Sequence, residues 1–117
     1  MPMRALMNAE IEELERVIII RLNDSFDSRG ALDIDSLWEP QLDKKQRTIA
    51  IDLCALHRTD LNTIGLFVKF VRSAIFKNRE VLFYNVNPAV YDLLALAGLD
   101  KFFDIMTKER FCNKYLN

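Results

Sequence analysis

The sequence predicts an α/β fold with a largely parallel sheet, and three observations carry that prediction. Short β-branched or apolar runs, Val17–Ile20 with Leu22, Ile49–Leu53 and Val81–Phe83, have strand length and suit burial on both faces. Between the second and third runs lies a strongly periodic amphipathic segment. Residue types that open helices, Asp60 or Asn62, Asn87-Pro88 and Thr107, recur along the chain after the runs. Strands alternating with helical segments through short connections build a parallel sheet covered by helices.

Taken in order, residues 1–14 are ambiguous by propensity. Glu10-Ile11-Glu12-Glu13-Leu14 contains good helix formers, yet Ile11 and Leu14 make only a thin apolar stripe. Val17 to Leu22 reads as a central strand. Asn23-Asp24-Ser25 punctuates it, and Asp27 or Ser28 caps a helix with Ala31, Ile34, Leu37 and Trp38 on its inner face. Pro40 ends or bends that helix, because proline cannot donate an intrahelical bond. Asp43-Lys44-Lys45-Gln46-Arg47 reads as a solvated connection.

After the strand at residues 49–53, Ile64, Phe67, Val68, Val71, Ala74 and Ile75 form one apolar stripe at helical spacing. Glu80 to Val86 is the next strand. Asn87-Pro88 opens a helix with Val90, Leu93, Leu94 and Ala97 inward, and Gly98 follows its last turn. A short edge strand lies around Phe102-Phe103-Asp104-Ile105, and Thr107 caps a last short helix carrying Phe111 and Tyr115.

Composition narrows the function classes. At 117 residues the chain is long enough for a real core and reads as a single domain over residues 1–117. Half of it is hydrophobic and its net charge is -1, with acids and bases interspersed. A concentrated basic surface for nucleic acid is not visible, and Lys44, Lys45 and Arg47 are a solvated turn rather than one. Purely apolar runs such as Val17–Ile20 are too short to enter a bilayer as a span, and the N-terminus lacks a secretory signal, so a cytoplasmic location is expected. With Cys54, Cys112 and one histidine, no Cys/His zinc site can be filled, and Cys54 reads as a small core residue. No metal or cofactor is expected.

The stretch Asp52–Gly65 is the expected working end, because a strand, a loop and a helix N-terminus gather unpaired N–H groups and a positive dipole end. A Cys54, His57, Asp60 triad would need converging side chains from a strand end and the loop after it, and an Asp52, Asp60 pair lacks supporting acids, so an enzyme is not expected.

The order of its motifs makes the chain resemble the STAS domain family, which includes bacterial anti-sigma factor antagonists and the cytoplasmic tails of sulphate transporters. Leu22-Asn23-Asp24 followed by Phe26-Asp27 resembles the family's strand end and the aspartate before its first helix. Asp52-Leu53, Thr59-Asp60 and Ile64-Gly65 resemble its strand, loop and helix with a D-S-S-G-L core. Asn87-Pro88-Ala89-Val90, Leu93-Leu94 and Ala97-Gly98-Leu99 resemble the stretch the family writes S-P-A-V, a hydrophobic pair and S-G-L. The resemblance implies a four- to five-stranded mixed, largely parallel sheet with helices mainly on one face. It also implies that residues 4–12 are a strand.

The departures bear on function. Family antagonists carry a phosphoacceptor serine directly after the loop aspartate, and here that position is Leu61, followed by Asn62 and Thr63. A leucine has no hydroxyl to phosphorylate. Asp24 likewise stands where the family has a strand-end glycine. Thr59 and Thr63 are substitute acceptors of low rank. Asp60 is equally a helix cap or a partner-orienting carboxylate. Leu66, with Phe70 on its flank, falls away from the apolar stripe and joins Leu61 in an expected exposed patch.

The expected role is therefore a non-catalytic module of the anti-sigma factor antagonist type, constitutive or regulated elsewhere. It binds a protein partner through Asp24, Asp27, Ser28, Asp60, Leu61, Asn62, Thr63, Leu66 and Phe70. The partner is an anti-sigma factor-type kinase or, in the alternative reading, a subunit of an ATP-driven membrane lipid transporter, with a homodimer left open.

Overall fold

A computed structural model describes residues 3–5, 9–23 and 37–117 of the chain. Its sheet has six strands in sequence order: β1 (Met3–Ala5), β2 (Ala9–Glu13), β3 (Val17–Leu22), β4 (Thr48–Asp52), β5 (Glu80–Tyr84) and β6 (Asp104–Met106). The pairs β1–β2 and β2–β3 are antiparallel, and β3–β4, β4–β5 and β5–β6 are parallel. The mixed, largely parallel sheet is present, widened past five strands by the three-residue β1.

The N-terminal region corrects one expectation. Residues 4–12 are not one strand, because Met3, Arg4 and Ala5 pair antiparallel with Glu12, Ile11 and Glu10, which makes β1 and β2 two separate strands. Ala9 and Ile11 enter the core between the partly or fully exposed Glu10 and Glu12. That alternation, not helix propensity, decides the outcome once β3 offers a pairing edge.

The strands present two faces. Ile18, Ile20 and Leu22 of β3, Ile49 and Ile51 of β4, and Val81 and Phe83 of β5 point to the larger core. That core is covered by α1 (Leu61–Phe76), α2 (Pro88–Leu96) and a segment running from Leu37 through a 3-10 turn at Glu39–Asp43. Val17, Ile19, Ala50, Leu82, Tyr84 and Met106 line the opposite face. There Phe111 of α3 (Lys108–Phe111) stacks on Tyr84 at 4.2 Å between centroids. Helices thus lie mainly on one face, with the C-terminal segment closing the other.

Capping follows the sequence signals. Thr107 Oγ1 accepts from Arg110 N at 3.1 Å and starts α3. Gly98, with φ +74°, lets Leu99 N return to Leu94 O at 2.8 Å and closes α2. β5 stops at Tyr84, two residues short of the expected end, because Asn85 turns into the left-handed region at φ 57°.

The buried face of α1 is rotated from the stripe its sequence suggests. Thr63, Ile64, Phe67, Phe70, Val71 and Ala74 are buried, so the inward direction lies near Phe67, roughly 40° from Val71. Ile75 is consequently 61% exposed and Phe70 0% exposed. Trp38 supplies the reason: it stacks on Phe70 at 4.6 Å and meets Phe67 edge-on at 6.1 Å, walling that flank of the helix. Ala97 also departs from expectation, lying exposed at the C-cap of α2.

The connection at residues 43–47 is only partly solvated. Gln46 is buried and donates to Leu14 O at 2.7 Å, while Lys44 pairs with Glu13 at 2.9 Å.

Candidate functional site

The loop from Leu53 to Asp60 is anchored at its base and open at its end. Asp52 Oδ1 accepts from Cys54 N at 2.9 Å and from Asn85 Nδ2 at 3.1 Å, which ends β4 in a side-chain-closed turn. Leu53 N donates to Tyr84 O at 3.0 Å, and Leu56 N to Leu53 O at 3.0 Å. The Leu53 and Leu56 side chains fill the core beneath. Cys54 is turned outward by this geometry and is exposed, which corrects its reading as a core residue.

His57 and Arg58 lie exposed on the way to α1. Asp60 then has extended backbone, and its Oδ1 accepts from Thr63 N at 2.7 Å, the arrangement of a helix N-cap. No hydrogen bond among the described residues joins the side chains of Cys54, His57 and Asp60, and no group of acids, histidines and cysteines there is placed to hold a metal.

The expected site residues therefore divide. Leu61, at the first position of α1, is 61% exposed, and Asn62 beside it is exposed. Leu66 is half-buried against the larger core. Thr63, only 2% exposed, and Phe70 lie in the interior rather than on the expected outer surface, because the helix is rotated toward Trp38. The Thr59 hydroxyl oxygen is shielded from solvent and has no hydrogen-bond partner among the described residues. Asp24, Asp27 and Ser28 lie outside the described residues.

Two residues matter here that the sequence suggested only as part of a strand and as a helix cap. Asn85 holds Asp52, and Asn87 Nδ2 reaches the carbonyls of Leu53, Cys54 and Leu56 at 3.3, 3.1 and 2.9 Å. The available signal was that both asparagines sit in the turn after a strand neighbouring the loop.

Electrostatics on the adjoining sheet face are set by the Arg21 guanidinium with its two acidic partners and by a buried phenol. Arg21 meets Glu12 at 2.9 Å, with Asp52 at 3.7 Å. Partial burial works against the guanidinium charge, but the hydrogen bond it donates to Glu12 and the nearby acids outweigh it, so Arg21 is held above its ordinary pKa. Burial, helped by the Asp52 carboxylate, pushes the Tyr84 hydroxyl well above the usual phenol range. No helix among the described residues is long and apolar enough to cross a membrane.

Comparisons with known proteins agree with this architecture. The Bacillus cell fate determinant SpoIIAA in its phosphorylated form superposes with a TM-score of 0.69 at 18% identity, over 91% of this chain and 97% of that one. The anti-sigma factor antagonist SpoIIAA in its unphosphorylated form gives 0.74 at 18% identity, over 91% and 94%. An anti-sigma factor antagonist from Mycobacterium paratuberculosis gives 0.71 at 18% identity, over 93% of each chain. At these identities the likeness establishes the fold. No curated protein matches the sequence significantly. The family model of the STAS domain matches residues 8–112, and the chain belongs to the STAS domain family.

Proposed function

We propose that this STAS domain is a non-catalytic docking module of the anti-sigma factor antagonist type, acting in the cytoplasm without a phosphorylation switch in its loop. The observation that carries the reading is Leu61: an aliphatic side chain, 61% exposed, at the first position of α1 where the family's serine would stand. Burying such a side chain against a partner contributes about 1.5–3 kcal/mol. The loop offers no easy substitute acceptor, since the Thr63 side chain is buried and the Thr59 hydroxyl is shielded.

The switch would work by charge. A phosphate at this helix start adds nearly two negative charges and repels or desolvates an apolar or acidic partner. With leucine there, the apolar contact is permanent. The partner on this reading is an anti-sigma factor-type kinase encoded in the same genome.

The test is incubation with that purified kinase and ATP, followed by mass spectrometry and titration calorimetry. The wild-type chain binds and gains no phosphate, Leu61→Glu weakens binding by roughly tenfold or more, and Leu61→Ser gains an acceptor. Phosphate on Thr59 or Thr63 of the wild type refutes the switch-free reading. Absence of kinase binding, with binding to the permease or ATPase subunit of a lipid transporter instead, transfers the module to that class.

A further inference from the structure

We propose that Asn87 is the positioning residue of the docking loop, setting its shape from the head of a different helix. The inference rests on the docking reading above and adds to it the part that holds the loop ready.

Asparagine before Pro88 is a residue type that ordinarily caps the helix it precedes. Here it has capping backbone angles, φ -67° and ψ 150°, but its side chain makes no cap bond. The amide is turned away from α2 and toward the loop after β4. Its Nδ2 lies 3.3, 3.1 and 2.9 Å from the carbonyl oxygens of Leu53, Cys54 and Leu56.

An NH2 group has two hydrogens, so three carbonyls share them. Three backbone carbonyls converge because the turn at Leu53–Leu56 bends the chain around this point, and Leu53 O also receives Leu56 N. Without the Asn87 amide the Leu53 carbonyl keeps only Leu56 N, and those of Cys54 and Leu56 lose the hydrogen bond they have among the described residues. Apolar anchoring of Leu53 and Leu56 keeps the strand-side half of the loop down, but it fixes no carbonyl direction.

The mount itself is stiff. Asn87 O accepts from Val90 N at 3.0 Å and Tyr91 N at 2.9 Å, and Pro88 restricts the next backbone angle. Asn85, two residues earlier, ties Asp52 to the same turn at 3.1 Å. A loop shaped before its partner arrives loses less conformational freedom on binding, so its affinity is higher than that of a loose loop. Asn87 touches no partner on this account; it acts through the loop.

Asn87→Asp tests this in the full chain. Aspartate has the same shape and suits the position before α2 equally well, but it removes the donor and sets a negative charge against three carbonyls. Asn87→Ser, the residue the family writes at this position, keeps one donor on a shorter side chain. Amide hydrogen exchange by NMR gives the first readout, with Leu56 reporting the loop and Ile49 and Ile51 reporting the strand beneath. Relative to those strand amides, Leu56 exchanges slowest in the wild type, faster in Asn87→Ser and about tenfold faster in Asn87→Asp.

Affinity for the purified anti-sigma factor-type kinase gives the second readout and falls in the same order. Unchanged Leu56 exchange overturns the proposal, and so does a loosened loop that binds the kinase as tightly as the wild type. Should Asn87→Asp fail to fold, Asn87→Ser alone decides both comparisons. A wild type that does not bind the kinase refutes the docking reading instead, while the exchange order still decides whether Asn87 holds the loop.

Discussion

Replacing Phe70 by alanine tests whether α1 is rotated as described, and hence which of its apolar residues are free to meet a partner. The Phe70 side chain is 0% exposed and stacks on Trp38 at 4.6 Å. Truncating a buried phenylalanine destabilises by about 3–5 kcal/mol, from lost transfer energy and the cavity left behind. For a chain of 117 residues the unfolding entropy near the midpoint is about 0.25 kcal/mol/K. A loss of about 4 kcal/mol therefore lowers the thermal midpoint by roughly 15 °C. Leu61→Ala is the matched control: with the side chain largely in solvent, stability changes by no more than about 0.5 kcal/mol. Urea and thermal unfolding followed by circular dichroism give both values. Trp38, the single tryptophan, also reports through its fluorescence because its stacking partner is the residue removed. A Phe70→Ala loss under about 1 kcal/mol, or a larger loss for Leu61→Ala, would refute the rotation and return Phe70 to the outer surface.

Two further outcomes follow from the loop and the opposite sheet face. Asp60→Ala removes the acceptor for Thr63 N and lowers stability by about 1 kcal/mol, whereas Asp60→Asn keeps most of it, as urea midpoints will show. Tyr84 has a folded-state pKa above its ordinary 10.0, so its contribution to stability is full below pH 10.0 and is lost as pH rises through the folded value. Tyr84→Phe accordingly makes the alkaline fall in stability shallower, measured by urea midpoints on either side of that pH, with Tyr115, shifted in the same direction, leaving a residual slope.

Local chemistry made much of this fold readable from sequence. The β-branched run of β3 is buried almost throughout, and a strand surrounded on both faces needs nothing outside its own residues to announce itself. Gly98 and Thr107 act within a few residues of their own backbone, so they too were legible. Features that depend on distant chain were not. The direction in which α1 faces is set by Trp38, which a helix's own periodicity cannot register. The N-terminal hairpin is decided by the edge of β3 against weak local preference.

The site divides along the same line. The cap at Asp60 was one of two the sequence offered, because capping is a local signal, whereas Leu61 was singled out only by the family resemblance. Phe70 was misassigned to the surface, and the exposure of Cys54 was missed, since each depends on how the loop and helix seat on the sheet. Asn87 looked like a cap, and only the convergence of three carbonyls from the neighbouring connection reveals its other partner.

Chemical-shift mapping on the isotope-labelled chain, with the kinase added in steps, addresses the docking surface itself. On this account the perturbed amides run from His57 to Leu66, centred on Leu61, and Leu61→Glu abolishes them at the same concentrations. Perturbations gathered on the β6 edge or around Phe111, with residues 57–66 silent, would contradict it.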